Sequence, residues 1–265
     1  VRSSAASDVY KRQMFHRMQE IGYDYIVTGH YARVEYDEKR DRYLLKKAVD
    51  DTKDQSYVLY MLTQEQLAHV KLPLGGLRKD QVRVIAEKHG FINARKHDSQ
   101  DICFVPDGDY AKFIEKYTGK KTPEGDFVDK EGNYIGRHKG IIHYTIGQRR
   151  GLGIPAASRL YVCEISPKTN TVVLGDNADL FSSELEADSV NLISVDNLSE
   201  PKRVTAKIRY RHKEQPATAW QTPDGILHVK FDEPQRAITK GQAVVMYDGD
   251  EVVGGGAINK IYSQS

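Results

Sequence analysis

Cysteine is scarce in this sequence: Cys103 and Cys163 are the only two in 265 residues, too few for a disulfide framework. Long apolar runs are missing too. No stretch of about 18 apolar residues occurs, which excludes a transmembrane helix, and the N-terminus lacks the apolar core of a secretory signal. These absences predict a cytoplasmic chain in a reducing compartment, with no membrane partner. Excess charge is absent as well: the formal net charge is +2, so only its local distribution can speak of partners. The nine histidines show no metal-ligand spacing, and no protein-bound metal is expected. Neither a Ser-His-Asp signature nor a Walker lysine is present. What is there is an ordinary globular composition, 39% apolar and 29% charged, on a chain long enough for two or three domains.

Residues 1–13, VRSSAASDVYKRQ, are small, polar and aperiodic, and are expected to be non-native or disordered. Met14, Phe15, Met18 and Ile21 recur at helical spacing, with Gly22 as the stop. Tyr25–Val27 is a short strand ending at Thr28-Gly29-His30, and Leu44-Leu45 marks a β-excursion. Tyr57–Leu62 is apolar enough for a helix or a strand, which periodicity cannot decide. Thr63-Gln64-Glu65-Gln66 is a capping box. Val82, Ile85, Ala86 and His89 share one helical face before Gly90, and Tyr110, Phe113, Ile114 and Tyr117 do so before Gly119. The first part therefore reads as α/β. From about residue 120, turn residues recur at short intervals between β-branched and aromatic runs: Leu160–Ile165, Val204–Tyr210, Leu227–Phe231 and Ala243–Tyr247. That texture predicts a β-barrel or sandwich, with Asp248-Gly249 turning a hairpin.

Five segments can carry chemistry. Gly29-His30 follows a strand end, where the backbone of an α/β sheet admits a nucleotide, or else forms a plain tight turn. Lys53-Asp54-Gln55 is either a helix cap or a loop contacting nucleotide or RNA. Cys103, in DSQDICF, is either a small buried hydrophobe or a loop-edge thiol, whereas Cys163 sits in a strand pattern. Arg149 and Arg150 lie among three glycines in a mobile basic loop, YTIGQRRGLGI, which is either solvated or holds a polyanion. Finally, Arg203–Lys213 read as a strand places Arg203, Thr205, Lys207, Arg209 and Arg211 on one face. Their spacing of about 6.6 Å suits a phosphate backbone, and Val204, Ala206, Ile208 and Tyr210 take the other face.

Taken together, TGHYAR, KDQSYVLY, DSQDICFV, IGRHKGIIHYTIGQRRGLGI, RYR and GQAVVMYDGDEVVGGGAI stand in an order that resembles the tRNA-specific 2-thiouridylases over residues 14–262. The resemblance implies a PP-loop ATP-pyrophosphatase domain of the adenine-nucleotide alpha-hydrolase-like α/β type at 14–106. A small central domain at 107–175 and a C-terminal tRNA-binding β-barrel at 176–263 follow. It implies an ATP-dependent reaction, with Mg2+, in which the 2-oxygen of a wobble uridine is adenylated, sulfur is delivered from a cysteine persulfide and AMP leaves. By the same resemblance Cys103 carries the persulfide and Gly29 contacts ATP. His30, Lys53, Asp54, Gln55, Arg209, Tyr210 and Gln242 fall at positions that touch tRNA. The expected partners are the tRNA anticodon arm and a persulfide-donating carrier or cysteine desulfurase, and the chain is expected to be a monomer.

The sequence departs from that pattern in two places. The pyrophosphate loop of the SGGVDSS type is not present, and no cysteine lies in residues 1–13, where the family's first catalytic cysteine belongs. The 265-residue chain is therefore expected to be a fragment that by itself neither binds ATP well nor thiolates tRNA. The alternatives are a different PP-loop tRNA-modifying enzyme, or a non-catalytic RNA-binding module in which Cys103 is structural.

Overall fold

The computed structural model describes residues 13–92, 94, 109–155 and 158–262, in two compact units. The described residues of Val1–Arg95, Ser183–Pro234 and Thr239–Tyr262 form the first, and those of Lys96–Ser182 and Gln235–Ile238 the second.

In the first unit, residues 13–20 are helical (α1) and bury Phe15 and Met18. The helix stops where Gly22 takes φ +75° and the Tyr23 amide reaches back to the Met18 carbonyl. Strand β1 (Ile26–Val27) pairs in parallel with β4 (Val70–Lys71). Between them β2 (Ala32–Asp37) and β3 (Arg42–Lys47) make a hairpin. A 3-10 turn (Asp51–Lys53) and helices α2 (Ser56–Leu59) and α3 (Gln64–Ala68) follow, so the ambiguous apolar segment 57–62 starts as a helix. The Thr63 capping box forms: the Gln66 amide donates to the Thr63 hydroxyl and the Thr63 amide to the Gln66 side chain. Helix α4 (Lys79–Lys88) forms as predicted, but none of its residues is buried. Its Val82–His89 face has the expected period, and His89 packs beside Phe91 (ring centroids 6.4 Å apart).

The barrel is made of β9 (Phe181–Leu192), β10 (Lys202–Lys207), β11 (Gln215–Gln221), β12 (Leu227–Arg236), β13 (Ala243–Asp248) and β14 (Glu251–Tyr262). The sheet order β13-β10-β11-β12-β9-β14, with β13 also paired to β14, closes it with six strands. Closure leaves no free edge among these strands. Hairpin β2–β3 continues the sheet from β14, where Glu251 pairs with Lys46. The β13–β14 turn falls at Gly249-Asp250, between the paired Asp248 and Glu251. All of Ala243–Tyr247 is buried, because both faces of β13 are covered. Ala243, Val245 and Tyr247 pack with Leu45, Tyr57, Tyr60, Leu62 and Leu67 in one apolar cluster. Each buried Leu or Val among them contributes about 1.5–3 kcal/mol. Helices α2 and α3 are thus held against the barrel wall by apolar burial.

The second unit holds α5 (Tyr110–Thr118) and a four-stranded sheet of order β6-β5-β8-β7: β5 is Gly125–Val128, β6 Tyr134–His138, β7 Tyr161–Ser166 and β8 Thr171–Gly175. Its core gathers Phe127, Tyr144, Leu152, Val162, Val172 and Leu174. The buried His138 accepts from the Gly140 amide at Nδ1 (3.0 Å) and donates from Nε2 to the Asn170 carbonyl (3.0 Å). These bonds satisfy both ring nitrogens, which gives the histidine a structural role.

Candidate nucleic-acid interface

The two segments singled out near the start of the chain meet through Gln55. Its side-chain oxygen accepts the Tyr31 amide (2.9 Å), and its own amide donates to the Tyr31 carbonyl (2.8 Å). This pair fixes the exit of β1, residues 28–31, beside the Lys53–Gln55 loop. Asp54 organises the loop itself. One carboxylate oxygen accepts the Ala48 amide (3.0 Å) and the Ser56 amide (3.2 Å), and the other accepts the Ser56 hydroxyl (2.7 Å). Asp54 therefore organises the loop just before α2, whose N-cap is Gln55 without a side-chain cap bond, while Lys53 and Gln55 stay half-buried at its rim. At the strand exit His30 Nδ1 lies 2.9 Å from the Thr28 hydroxyl, and Gly29 is exposed.

The barrel brings a second set of residues to the same loop. Tyr57 donates from its hydroxyl to the Ala243 carbonyl (2.9 Å), next to the exposed Gln242. Its ring centroid lies 6.1 Å from that of Tyr210 and 5.8 Å from the Lys207 ammonium. Burial, then the Asp54 carboxylate, raises the Tyr210 phenol above its ordinary value, while Arg211 and Lys53 pull it down. Burial raises Tyr57 as well, and Arg209 opposes it. Tyr210 thus feels the charges of Asp54 and Lys53 and Tyr57 that of Arg209, the two rings lie 6.1 Å apart, and Gln242 adjoins the Tyr57 hydrogen bond. Lys207 belongs to the cationic face read from the sequence, whereas Tyr57 reads there as part of the apolar run 57–62 and so as core, which it also is.

The cationic ladder is corrected. Strand β10 ends at Lys207, and the chain then turns, with the His212 amide bonded to the Arg209 carbonyl (3.1 Å). Val204, Ala206 and Ile208 are buried as predicted, but Tyr210 is 41% exposed. Arg203 is engaged by Asp232 through two 2.7 Å bonds and by Thr218 at 3.0 Å. The cations facing the Lys53–Gln55 loop come from a strand end and a turn. They do not form a straight row.

In the second unit, the basic loop around Arg149 and Arg150 is tied down. Gly147 and Gln148 exchange backbone bonds with Val162 (2.8 and 2.9 Å), and the Gln148 side chain spans the Thr145 amide and the Arg150 carbonyl (both 3.0 Å). Both arginines remain exposed. Cys163 on β7 is half-buried, and burial pushes its thiol up to about 11. Cys103 and residues 1–12 lie outside the described residues. Among the described residues no group of three or more His, Cys, Asp or Glu is placed to hold a metal, and no helix is long and apolar enough to cross a membrane.

Comparison with known proteins adds three family matches: a tRNA methyl transferase HUP domain at 6–107, a tRNA methyl transferase PRC-barrel domain at 111–176, and an aminomethyltransferase beta-barrel domain at 182–258. The tRNA-specific 2-thiouridylase MnmA of Clostridioides difficile (strain 630) is 56% identical over 253 residues, covering 96% of this chain and 69% of that protein. The protein of the same name from Acetivibrio thermocellus is 54% identical over 245 residues, covering 92% and 68%. A Thermoanaerobacter sp. (strain X514) relative, also a tRNA-specific 2-thiouridylase, is 56% identical over 236 residues, covering 89% and 65%. The family descriptions speak of methyl transfer, while these relatives are named for thiolation. Identity above one half over most of the chain favours the relatives' name.

Proposed function

The chain belongs to the tRNA-specific 2-thiouridylase family, and from that premise we propose that it takes part in replacing the 2-oxygen of a tRNA wobble uridine by sulfur. In this reading the anticodon arm lies on the surface of Lys53–Gln55, Arg209–Tyr210 and Gln242. The observation that carries it is that Tyr210 from the barrel turn lies near Tyr57 of α2 (centroids 6.1 Å apart), close enough to Asp54 and Lys53 for their charges to shift its phenol, although these segments lie far apart in the chain.

The chemistry divides among the residues as follows. Lys53, Lys207 and Arg209 hold phosphates and so position the stem without reading its sequence. Tyr210, 41% exposed, offers a ring face to a base that has left the anticodon stack. ATP, with Mg2+, would supply the adenylyl group that makes the uridine 2-oxygen a leaving group in a site shielded from water. The exit of β1 suits a nucleotide. Among the described residues a Cβ on Gly29 would meet only Leu74 Cδ1, at 3.6 Å, so their packing does not demand glycine there, whereas a ligand lying on the backbone would. Cys103 carries the sulfur, loaded by a persulfide-donating carrier or cysteine desulfurase. A C–S bond forms at C2 as the C–O bond to the adenylyl group breaks. A second thiolate then takes the Cys103 sulfur and releases the thiocarbonyl, leaving a disulfide for an external reductant. Cys163, its thiol raised to about 11, is ill suited to be that second thiolate.

The test is binding to a tRNA transcript with uridine at the wobble position, over a range of salt. Arg209→Ala is expected to weaken binding several-fold and to reduce the salt slope by about one ion. An unchanged slope would remove Arg209 from the phosphate contacts.

A further inference from the structure

We propose that Glu214 is a positioning residue: clamped by Lys47 and Thr205, it sets the Arg209–Tyr210 turn at its working place beside Lys53–Gln55. The inference rests on the RNA-binding reading above and adds a residue to it. Lys47, the last residue of β3, donates to the Glu214 carboxylate (2.8 Å) and to the Gly249 carbonyl (2.8 Å), and its ammonium lies 4.7 Å from the Tyr247 ring centroid. The Thr205 hydroxyl donates to the same carboxylate (2.7 Å). Thr205 lies on β10 just before the turn, and Glu214 immediately precedes β11. The carboxylate therefore closes the base of the turn that carries Arg209 and Tyr210.

The other end of the clamp reaches the loop. Ala48, next to Lys47, donates its amide to Asp54 (3.0 Å), and the Tyr247 hydroxyl is 3.4 Å from that of Ser56, which Asp54 also holds. One ion pair thus ties both halves of the surface to a common frame. Its side chains are only 23% and 25% exposed, where a charge pair is less screened than on an open surface. Inside the turn His212 is half-buried, its Nδ1 without a hydrogen-bond partner among the described residues. Burial lowers its pKa, with Arg209 and Lys207 adding to the effect. His212 therefore reports whether the turn is closed.

Glu214→Gln separates positioning from bulk electrostatics by sign. Removing a negative charge from a polyanion-binding face should tighten tRNA binding by Coulomb attraction alone. The clamp predicts the reverse, binding weakened by about fivefold. It also predicts that the His212 pKa, followed by NMR with His212→Gln for assignment, rises toward the ordinary value of about 6.5 as the turn opens to water. Thr205→Val, which leaves the charge in place, should move both readouts the same way by less, and it decides the matter if Glu214→Gln does not fold. Unchanged or tighter binding by Glu214→Gln, or an unmoved His212 pKa, would overturn the clamp. Failure of the wild-type chain to bind the tRNA transcript would instead overturn the RNA-binding reading, and the His212 pKa alone would then judge the clamp.

Discussion

Cys103→Ser is expected to abolish persulfide loading of this chain. When the wild-type protein is incubated with a cysteine desulfurase and cysteine, mass spectrometry of its peptides should find one added sulfur, on Cys103. The serine variant should carry none. The argument is comparative, because the chain has only one other thiol, Cys163, pushed up to about 11 by burial. Burial thus leaves much less of it as thiolate at neutral pH than an unburied cysteine has, and the thiolate is the form that attacks. Cys163 is therefore a poor substitute acceptor. Sulfur found on Cys163, or a labelled serine variant, would remove Cys103 from the role. An unlabelled wild type would favour the RNA-binding module over the enzyme.

The second large effect is on stability. A Cβ at Gly75 would lie 1.7 Å from the Ala32 carbonyl oxygen and 2.4 Å from its carbon. The obstacle is backbone at the start of β2, one residue beyond the Tyr31–Gln55 pair, so a rotamer change cannot relieve it. Gly75→Ala is therefore expected to cost about 3 kcal/mol or more. That corresponds to a fall in Tm of about 6–12 °C for a chain of this size. The neighbouring Gly76 is the control: among the described residues nothing lies within 4 Å of its added Cβ, and Gly76→Ala should stay within about 0.5 kcal/mol. Equal losses in the two variants would show that the turn yields and that close approach to β2 is not what requires glycine.

Signals that act over a few residues were legible. The Thr63 capping box and the Gly22 stop are local devices whose atoms lie within one helical turn, and both appear as the residues predict. The family resemblance puts Lys53, Asp54, Arg209, Tyr210 and Gln242 at tRNA-touching positions, a role that the binding measurements proposed above address. What failed was extrapolation of a period. The alternation of Arg203–Arg211 continues in the letters beyond Lys207, where the strand ends, and one outlier, the exposed Tyr210, was the sign of the turn. Partner choice was also hidden, since Arg203 is neutralised by Asp232 from another barrel strand. The helical face of Val82–His89 predicted a helix correctly, and none of the residues of α4 is buried. Gln55 read as a possible RNA contact, yet its first task is to bind the Tyr31 backbone. Residue type reveals capacity for hydrogen bonding, and only the fold reveals which groups use it.

Hydrogen exchange with and without a tRNA transcript tests the proposed surface most directly. On binding, peptides spanning residues 50–57 and 207–213 should both gain protection, while barrel peptides around Arg203 and Asp232, already paired to each other, should change little. Protection that leaves both segments untouched, or that falls on only one of them, would contradict a single RNA surface built from loop and barrel together.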